Sequence, residues 1–209
     1  MNATLTIICG PMFAGKTTLL IKRVQDWESS GGEAIVIKPK KDDRYQRLAK
    51  RGNAHARHIV THVITHDGVA LGAFNAANAS QVASKALGGL HVLRGIESQP
   101  KPTLIAIDEA HFFGRSLSKE VIRLLKHDLH VILAGVDLDH RGDPFEPFPS
   151  LLAHADEVIK LASRCQVCNA PARHSQRMSA GDSRIEVGGS DKYEARCRNC
   201  FKPKHAARP

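Results

Sequence analysis

The chain has 209 residues, 42% of them hydrophobic and 24% charged, an ordinary globular composition that excludes a disordered or fibrous protein and has room for one sizeable core plus a satellite lobe. No basic segment precedes the short apolar run of MNATLTIICG, and nowhere do about 18 uncharged apolar residues follow one another, so a soluble, cytoplasmic protein is expected. The formal charge of +9 is concentrated: Lys160 to Pro209 holds eleven Lys/Arg against four Asp/Glu, together with four of the five cysteines. Such a segment is either a solvated basic tail or a phosphate-binding patch, and a metal held by thiolates would offset part of its charge.

In chain order, Leu5 to Cys9 is short, apolar and ended by Gly10, the pattern of a buried parallel strand. Thr17 to Glu28 carries Leu19, Leu20, Val24 and Trp27 at helical spacing and stops at Gly31-Gly32. Ala34 to Lys38, Thr103 to Asp108 and His130 to Val136 repeat the buried-strand pattern, with a helical stretch from Leu117 to Leu125 between the last two. Residues 68–102 are loosely assigned: the alanine-rich AFNAANASQVASKAL reads as one helix or two, and the rest as loop. The alternation predicts a doubly wound parallel α/β sheet. After Ser163 the texture turns to Cys, Arg, Gly and Ser, which divides the chain into a nucleotide-binding domain over residues 1–162 and a small lobe over 163–209.

The segment Gly10-Pro11-Met12-Phe13-Ala14-Gly15-Lys16-Thr17 fits G-x-x-x-x-G-K-[ST] between a strand and a helix. Its backbone N–H groups point at a β-phosphate, Lys16 spreads its charge over β- and γ-oxygens, and Thr17 offers a hydroxyl to Mg²⁺. Leu104 to Ile107 then runs into Asp108-Glu109, two carboxylates at the carboxyl end of a buried strand, where open α/β sheets bind ligands. Asp108 suits Mg²⁺, and Glu109, directed the other way by strand alternation, suits proton abstraction from an attacking hydroxyl.

Cys165-x-x-Cys168 and Cys197-x-x-Cys200 are two thiolate pairs with the bite of a tetrahedral ion, 28 residues apart. A structural zinc is expected in preference to disulfides, and four thiolates leave no open position for catalysis by the metal. Cys9 reads as a small buried hydrophobe.

These segments, in this order, resemble the type II thymidine kinases. GPMFAGKTTLLIKRV is similar to the family's phosphate loop and first helix, AIDEAHFF to its carboxylate strand, and KPKKDDRY, THDG, GVDLDHRGDPF and GGSDKYEARCRNC follow in register. The resemblance implies a RecA-like P-loop fold whose C-terminal zinc lobe carries a lasso-like loop over the nucleoside. It implies transfer of the ATP γ-phosphate to the 5′-hydroxyl of thymidine, Glu109 as general base, a homotetramer, and dTTP as a feedback inhibitor. Met12, Phe112, His140, Phe145, Gly188 and Tyr193 fall where the family surrounds its nucleoside, while Asp43 and Arg44 fall in a stretch expected to support the site. Without the resemblance, Met12, Phe112 and Phe145 read equally as core, and Tyr193 as packing on the zinc knuckle. Two residues depart from the pattern: His111 stands where Gln is usual, and His140 stands where Phe is usual, which predicts a more polar base pocket able to titrate near neutral pH. The basic lobe also fits a second reading, a P-loop ATPase that binds nucleic acid, although Tyr193 and Phe201 are the lobe's few aromatics for base stacking.

Overall fold

The computed structural model describes residues 3–41, 61–65, 68–96, 102–180 and 183–203; Asp43, Arg44, His55, His58, and the His66-Asp67 pair of THDG lie outside them. Seven strands form one sheet: β1 (Leu5–Cys9), β2 (Glu33–Pro39), β3 (Thr61–Ile64), β4 (Ala70–Ala76), β5 (Thr103–Ile107), β6 (His130–Gly135) and β7 (Glu157–Lys160), in the order β3-β4-β2-β5-β6-β1-β7. Every neighbouring pair is parallel except β3 with β4. The sheet is therefore mixed rather than wholly parallel. The antiparallel edge arises because the link from Thr65 to Val69 is too short for a crossover; the Thr65 N–H donates to the Val69 carbonyl at 2.9 Å, and Gly68 takes a positive φ of 86°.

Burial on both faces explains the unbroken apolar runs of β5 and β6, in which every residue is buried. Strand alternation splits the core into two layers. Leu5, Ile7, Ile35, Ile37, Ile105, Ile107, Val131 and Leu133 face α2 (Ala79–Ile96), α3 (Ser116–Leu125) and α4 (Phe148–Leu152), whereas Ile8, Val36, Leu104, Ala106, Ile132 and Ala134 face α1 (Lys16–Ser29). In α3 the buried residues Leu117, Val121 and Leu124 recur at helical spacing and form one stripe.

The ambiguous alanine-rich stretch divides into β4 and a single helix α2. Asn78 Oδ1 accepts from the Gln81 N–H at 3.0 Å while Gln81 Oε1 accepts from the Ala77 N–H at 2.9 Å, a reciprocal cap that fixes one helix start. Alanine allows both states by propensity; the cap decides where helix begins.

From β1 the chain passes over β6 and β5 to reach β2, and from β6 it passes over β1 to reach β7, so connections leave the adjacent strands β1 and β6 in opposite directions. That reversal opens a crevice at their carboxyl ends. Beyond β7 come two small antiparallel pairs, β8 (Ser163–Arg164) with β9 (Pro171–Ala172) and β10 (His174–Arg177) with β11 (Tyr193–Arg196), around a core of Cys165, Ala172, Ala195 and Cys197. Among the described residues no helix is long and apolar enough to cross a membrane.

Phe148 is fully buried and occupies the space left by Gly135, where an added Cβ would lie 2.8 Å from its ring. Phe148→Ala is expected to lower unfolding free energy by about 3–5 kcal/mol through lost burial and a residual cavity, measured as a shift in urea midpoint at unchanged slope.

Candidate active site

The phosphate loop begins where β1 ends. Gly10 has φ 139°, and a Cβ there would sit 2.5 Å from the Leu161 carbonyl oxygen, so both backbone and space require glycine. Phe13 and Gly15 also take positive φ, 64° and 78°, which curls the loop ahead of α1, the kind of turn in which backbone N–H groups can converge on an anion. Lys16 is buried and donates from Nζ to the Pro11 carbonyl at 2.6 Å. The Thr17 hydroxyl lies 3.1 and 3.2 Å from the two carboxylate oxygens of Asp108. This hydroxyl and carboxylate, drawn from α1 and from the end of β5, form an oxygen donor set suited to a hard divalent cation.

Asp108 and Glu109 share one cleft instead of facing opposite ways. The strand stops at Ile107, and Glu109 adopts the left-handed conformation, φ 49° and ψ 42°, so strand alternation no longer sets its direction. Its Oε2 lies 3.5 Å from His111 Nδ1. That nitrogen also accepts the Val136 N–H at 3.3 Å, which ties the ring to the segment that follows β6. His111 is held between Phe112 and Phe145, with ring centroids 4.3 and 5.2 Å away.

The cleft has a volume of about 980 Å³ and is continuous from the phosphate loop to the small lobe. Met12, Phe13, Ala14, Gly15, Lys16, Thr17, Asp108 and Glu109 line one part, and Phe112, His140, Phe145, Gly188 and Tyr193 line the other. Of the residues singled out in the sequence for nucleotide or nucleoside, Gly10 and Pro11 alone are outside the lining; they shape the loop. Tyr193 is buried and its hydroxyl donates to the Glu186 carbonyl at 2.9 Å, which joins the covering segment to β11.

Hydrogen bonds seat the lobe on the phosphate loop: the Met12 N–H donates to Ser175 Oγ at 3.0 Å, and Ser163 Oγ donates to the Phe13 carbonyl at 3.2 Å. Cys165, Cys168, Cys197 and Cys200 gather with all four sulfurs within 4.8 Å of one another, two of the separations being 3.6 Å. Sulfurs about 3.8 Å apart are what a tetrahedral ion with bonds of about 2.3 Å needs, so this cluster can hold a metal ion. Each pair sits in a tight turn, with the Asn169 N–H donating to the Cys165 carbonyl at 2.9 Å and the Cys200 N–H to the Cys197 carbonyl at 3.2 Å. Cys9 is fully buried at the end of β1, and burial raises its thiol to about 11, which leaves it inert.

Several lining residues were not singled out from the sequence: Lys38 at the end of β2, Asp139, Ser175, and the neighbours of Gly188 from Arg184 to Asp191. Lys38 carried a signal, because a lysine at the end of an otherwise apolar strand is seldom only structural. Ser175 carried none, since its role exists only once β10 docks on the loop.

A thymidine kinase family model matches residues 3–201. The chain belongs to the thymidine kinase family. It is 38% identical over 200 residues to a thymidine kinase of Deinococcus deserti, covering 93% of this chain and 92% of that protein. It is 36% identical over 203 residues to one of Pyrobaculum aerophilum, covering 94% and 97%, and 36% identical over 197 residues to one of Rhodothermus sp., covering 94% and 80%.

Burial lowers the His140 imidazole from its ordinary 6.5, and does the same at His130 and His174. His140 is thus neutral near pH 7, and the titration expected near neutrality moves to lower pH. Unfolded, these rings take up protons near 6.5; folded, they do so at lower pH. Between the two values the unfolded chain binds more protons, so stability falls as pH drops below about 6.5. His140→Phe is expected to shallow the fall in urea midpoint between about pH 7 and pH 5. Cys197→Ser is expected to lower bound metal, read by elemental analysis, and to unfold the lobe around its four-residue core.

Proposed function

We propose that the protein is a thymidine kinase that transfers the γ-phosphate of ATP to the 5′-hydroxyl of thymidine. One observation carries this: a phosphate loop, two carboxylates and an aromatic pocket under a covering segment open into a single cleft. A P-loop ATPase needs the first two; the pocket beside Glu109 suits an acceptor held for attack.

On this reading, phosphates displace the Pro11 carbonyl as partner of Lys16, and the N–H groups of the loop cradle them. Thr17 and Asp108 would hold Mg²⁺, which neutralises phosphate charge. Met12, Phe112, His140, Phe145, Gly188 and Tyr193 surround the nucleoside, and the neutral His140 can hydrogen-bond a base edge where a phenyl ring could only pack. Glu109 takes the proton of the 5′-hydroxyl; the freed oxygen forms a bond to the γ-phosphorus as the bond to the ADP oxygen breaks. The arrangement of His111 supports this role, since the ring, fixed by the Val136 N–H and by Phe112 and Phe145, stands 3.5 Å from Glu109 Oε2 and can orient that carboxylate.

Zinc is the ion the four-thiolate set favours, and it would tie both ends of the lobe without entering the chemistry. Residues 1–162 then act as the phosphoryl-transfer unit and 163–209 as the cover. The same reading carries cytoplasmic location, a homotetramer and inhibition by dTTP.

Purified protein with ATP, Mg²⁺ and thymidine is expected to form thymidine monophosphate with little free phosphate. Phosphate release that requires DNA and yields no nucleotide product would replace this reading with the ATPase. Glu109→Gln is expected to cut kcat by at least about 10²-fold while ATP binding and thermal midpoint hold, and an active variant would remove Glu109 from the role of base.

A further inference from the structure

Segment 183–192 forms one wall of the cleft, and two sets of contacts hold it. Within the lobe, the buried Arg177 pairs with Glu186 and also donates to the Ser183 carbonyl at 2.6 Å and to Ser179 Oγ at 3.0 Å, while Lys192 Nζ lies 2.8 Å from the other Glu186 oxygen. These contacts give the segment its shape but link it only to its own lobe.

The second set crosses the cleft. Arg184 Nε donates to Asp139 Oδ2 at 2.6 Å, an amino group of the same guanidinium donates to the Pro144 carbonyl at 3.0 Å, and its carbon lies 5.4 Å from the Phe145 ring centroid. All of these partners belong to the turn after β6, which bears Phe145 and His140 of the pocket.

The two ends of the Arg184–Asp139 pair differ in solvent access. The Asp139 side chain is fully buried and that of Arg184 is 49% exposed. Asp139 Oδ1 accepts the N–H groups of Arg141 and Asp143 at 2.9 and 3.0 Å, so Asp139 also builds its own turn, whereas Arg184 reaches in from solvent. We infer that Arg184 is a positioning residue that latches segment 183–192 against the Asp139 turn and so closes the nucleoside part of the cleft. This rests on the thymidine kinase reading for what is enclosed, though not for the latch. Opening it gives up the contacts of one half-hydrated guanidinium with Asp139, the Pro144 carbonyl and the Phe145 ring; Asp139 Oδ1 keeps its two backbone donors, and the segment keeps the shape set by Arg177 and Glu186.

The test compares wild type, Arg184→Ala and Arg184→Lys as metal-loaded protein. Arg184→Ala is expected to raise KM for thymidine about tenfold, to leave KM for ATP and metal content as in wild type, and to raise ATP hydrolysis relative to nucleotide formed because water enters. Arg184→Lys, which has one ammonium for two acceptors on different groups, is expected to fall between. Cleavage after Glu186 by a glutamyl endopeptidase reads the latch without any substrate and is expected to be faster in Arg184→Ala. Unchanged thymidine KM together with unchanged cleavage would overturn the latch. If wild type forms no thymidine monophosphate, the kinase reading fails by itself, and the cleavage rates still decide whether Arg184 holds the segment.

Discussion

Everything at the site depends on the parallel pairing of β1, β5 and β6. Parallel strands bring their carboxyl ends to the same edge, and three segments leave that edge together: the phosphate loop after Cys9, the Asp108-Glu109 pair after Ile107, and the Asp137–Phe145 turn after β6. Register does the fine placement. Ile107 pairs with Leu133, and Asp108 then meets Thr17 at 3.1 Å across the mouth of α1. A one-residue slip of β5 would turn Asp108 toward the α2–α3 layer and separate that oxygen pair. The unbroken burial of β5 and β6 makes such a slip costly, so the stiffest part of the fold holds the groups that need the tightest placement.

The lobe is built by different means, because four small buried residues and short strand pairs cannot order nearly forty residues by hydrophobic burial alone. A four-cysteine cluster able to hold a metal ion, hydrogen bonds to the phosphate loop and ion pairs stand in for a core. The Met12–Ser175 and Phe13–Ser163 contacts bond the loop after β1 to the lobe, so on the proposed reading a shift of the lobe over the acceptor would be transmitted to the loop that receives phosphate.

Much of this was legible in the sequence, for physical reasons that differ by region. Glycines that must take positive φ, a lysine and a threonine at fixed spacing, and cysteine pairs with a two-residue bite are local constraints, and local constraints are written in consecutive residues. The strands β1, β2, β5 and β6 were readable because burial on two faces leaves no polar alternation to confuse. The antiparallel edge of β3 and β4 was not, since it depends on a turn at Thr65 to Val69 within a stretch of mixed polarity. The direction of Glu109 was misjudged because alternation was extended one residue past the strand, where a left-handed backbone takes over. Asp139 and Arg184 were missed for a third reason: their pairing joins residues 45 apart, and no local pattern in either segment announces it.

Two arginines of the lobe show how burial separates holding from releasing. Arg177 is 5% exposed and its guanidinium is engaged by Glu186, Ser179 and two backbone carbonyls, so freeing it would strand several buried polar groups at once. Arg184 is half hydrated where it stands, so water can follow it and take its place at Asp139 Oδ2, while Oδ1 keeps its two backbone donors. A cover that must admit a nucleoside and then exclude water needs a segment of fixed shape on a weak attachment. On the proposed reading, buried and half-exposed ion pairs a few residues apart supply those two properties separately, so that the segment would move as a unit while the lobe and its four-cysteine cluster stay in place.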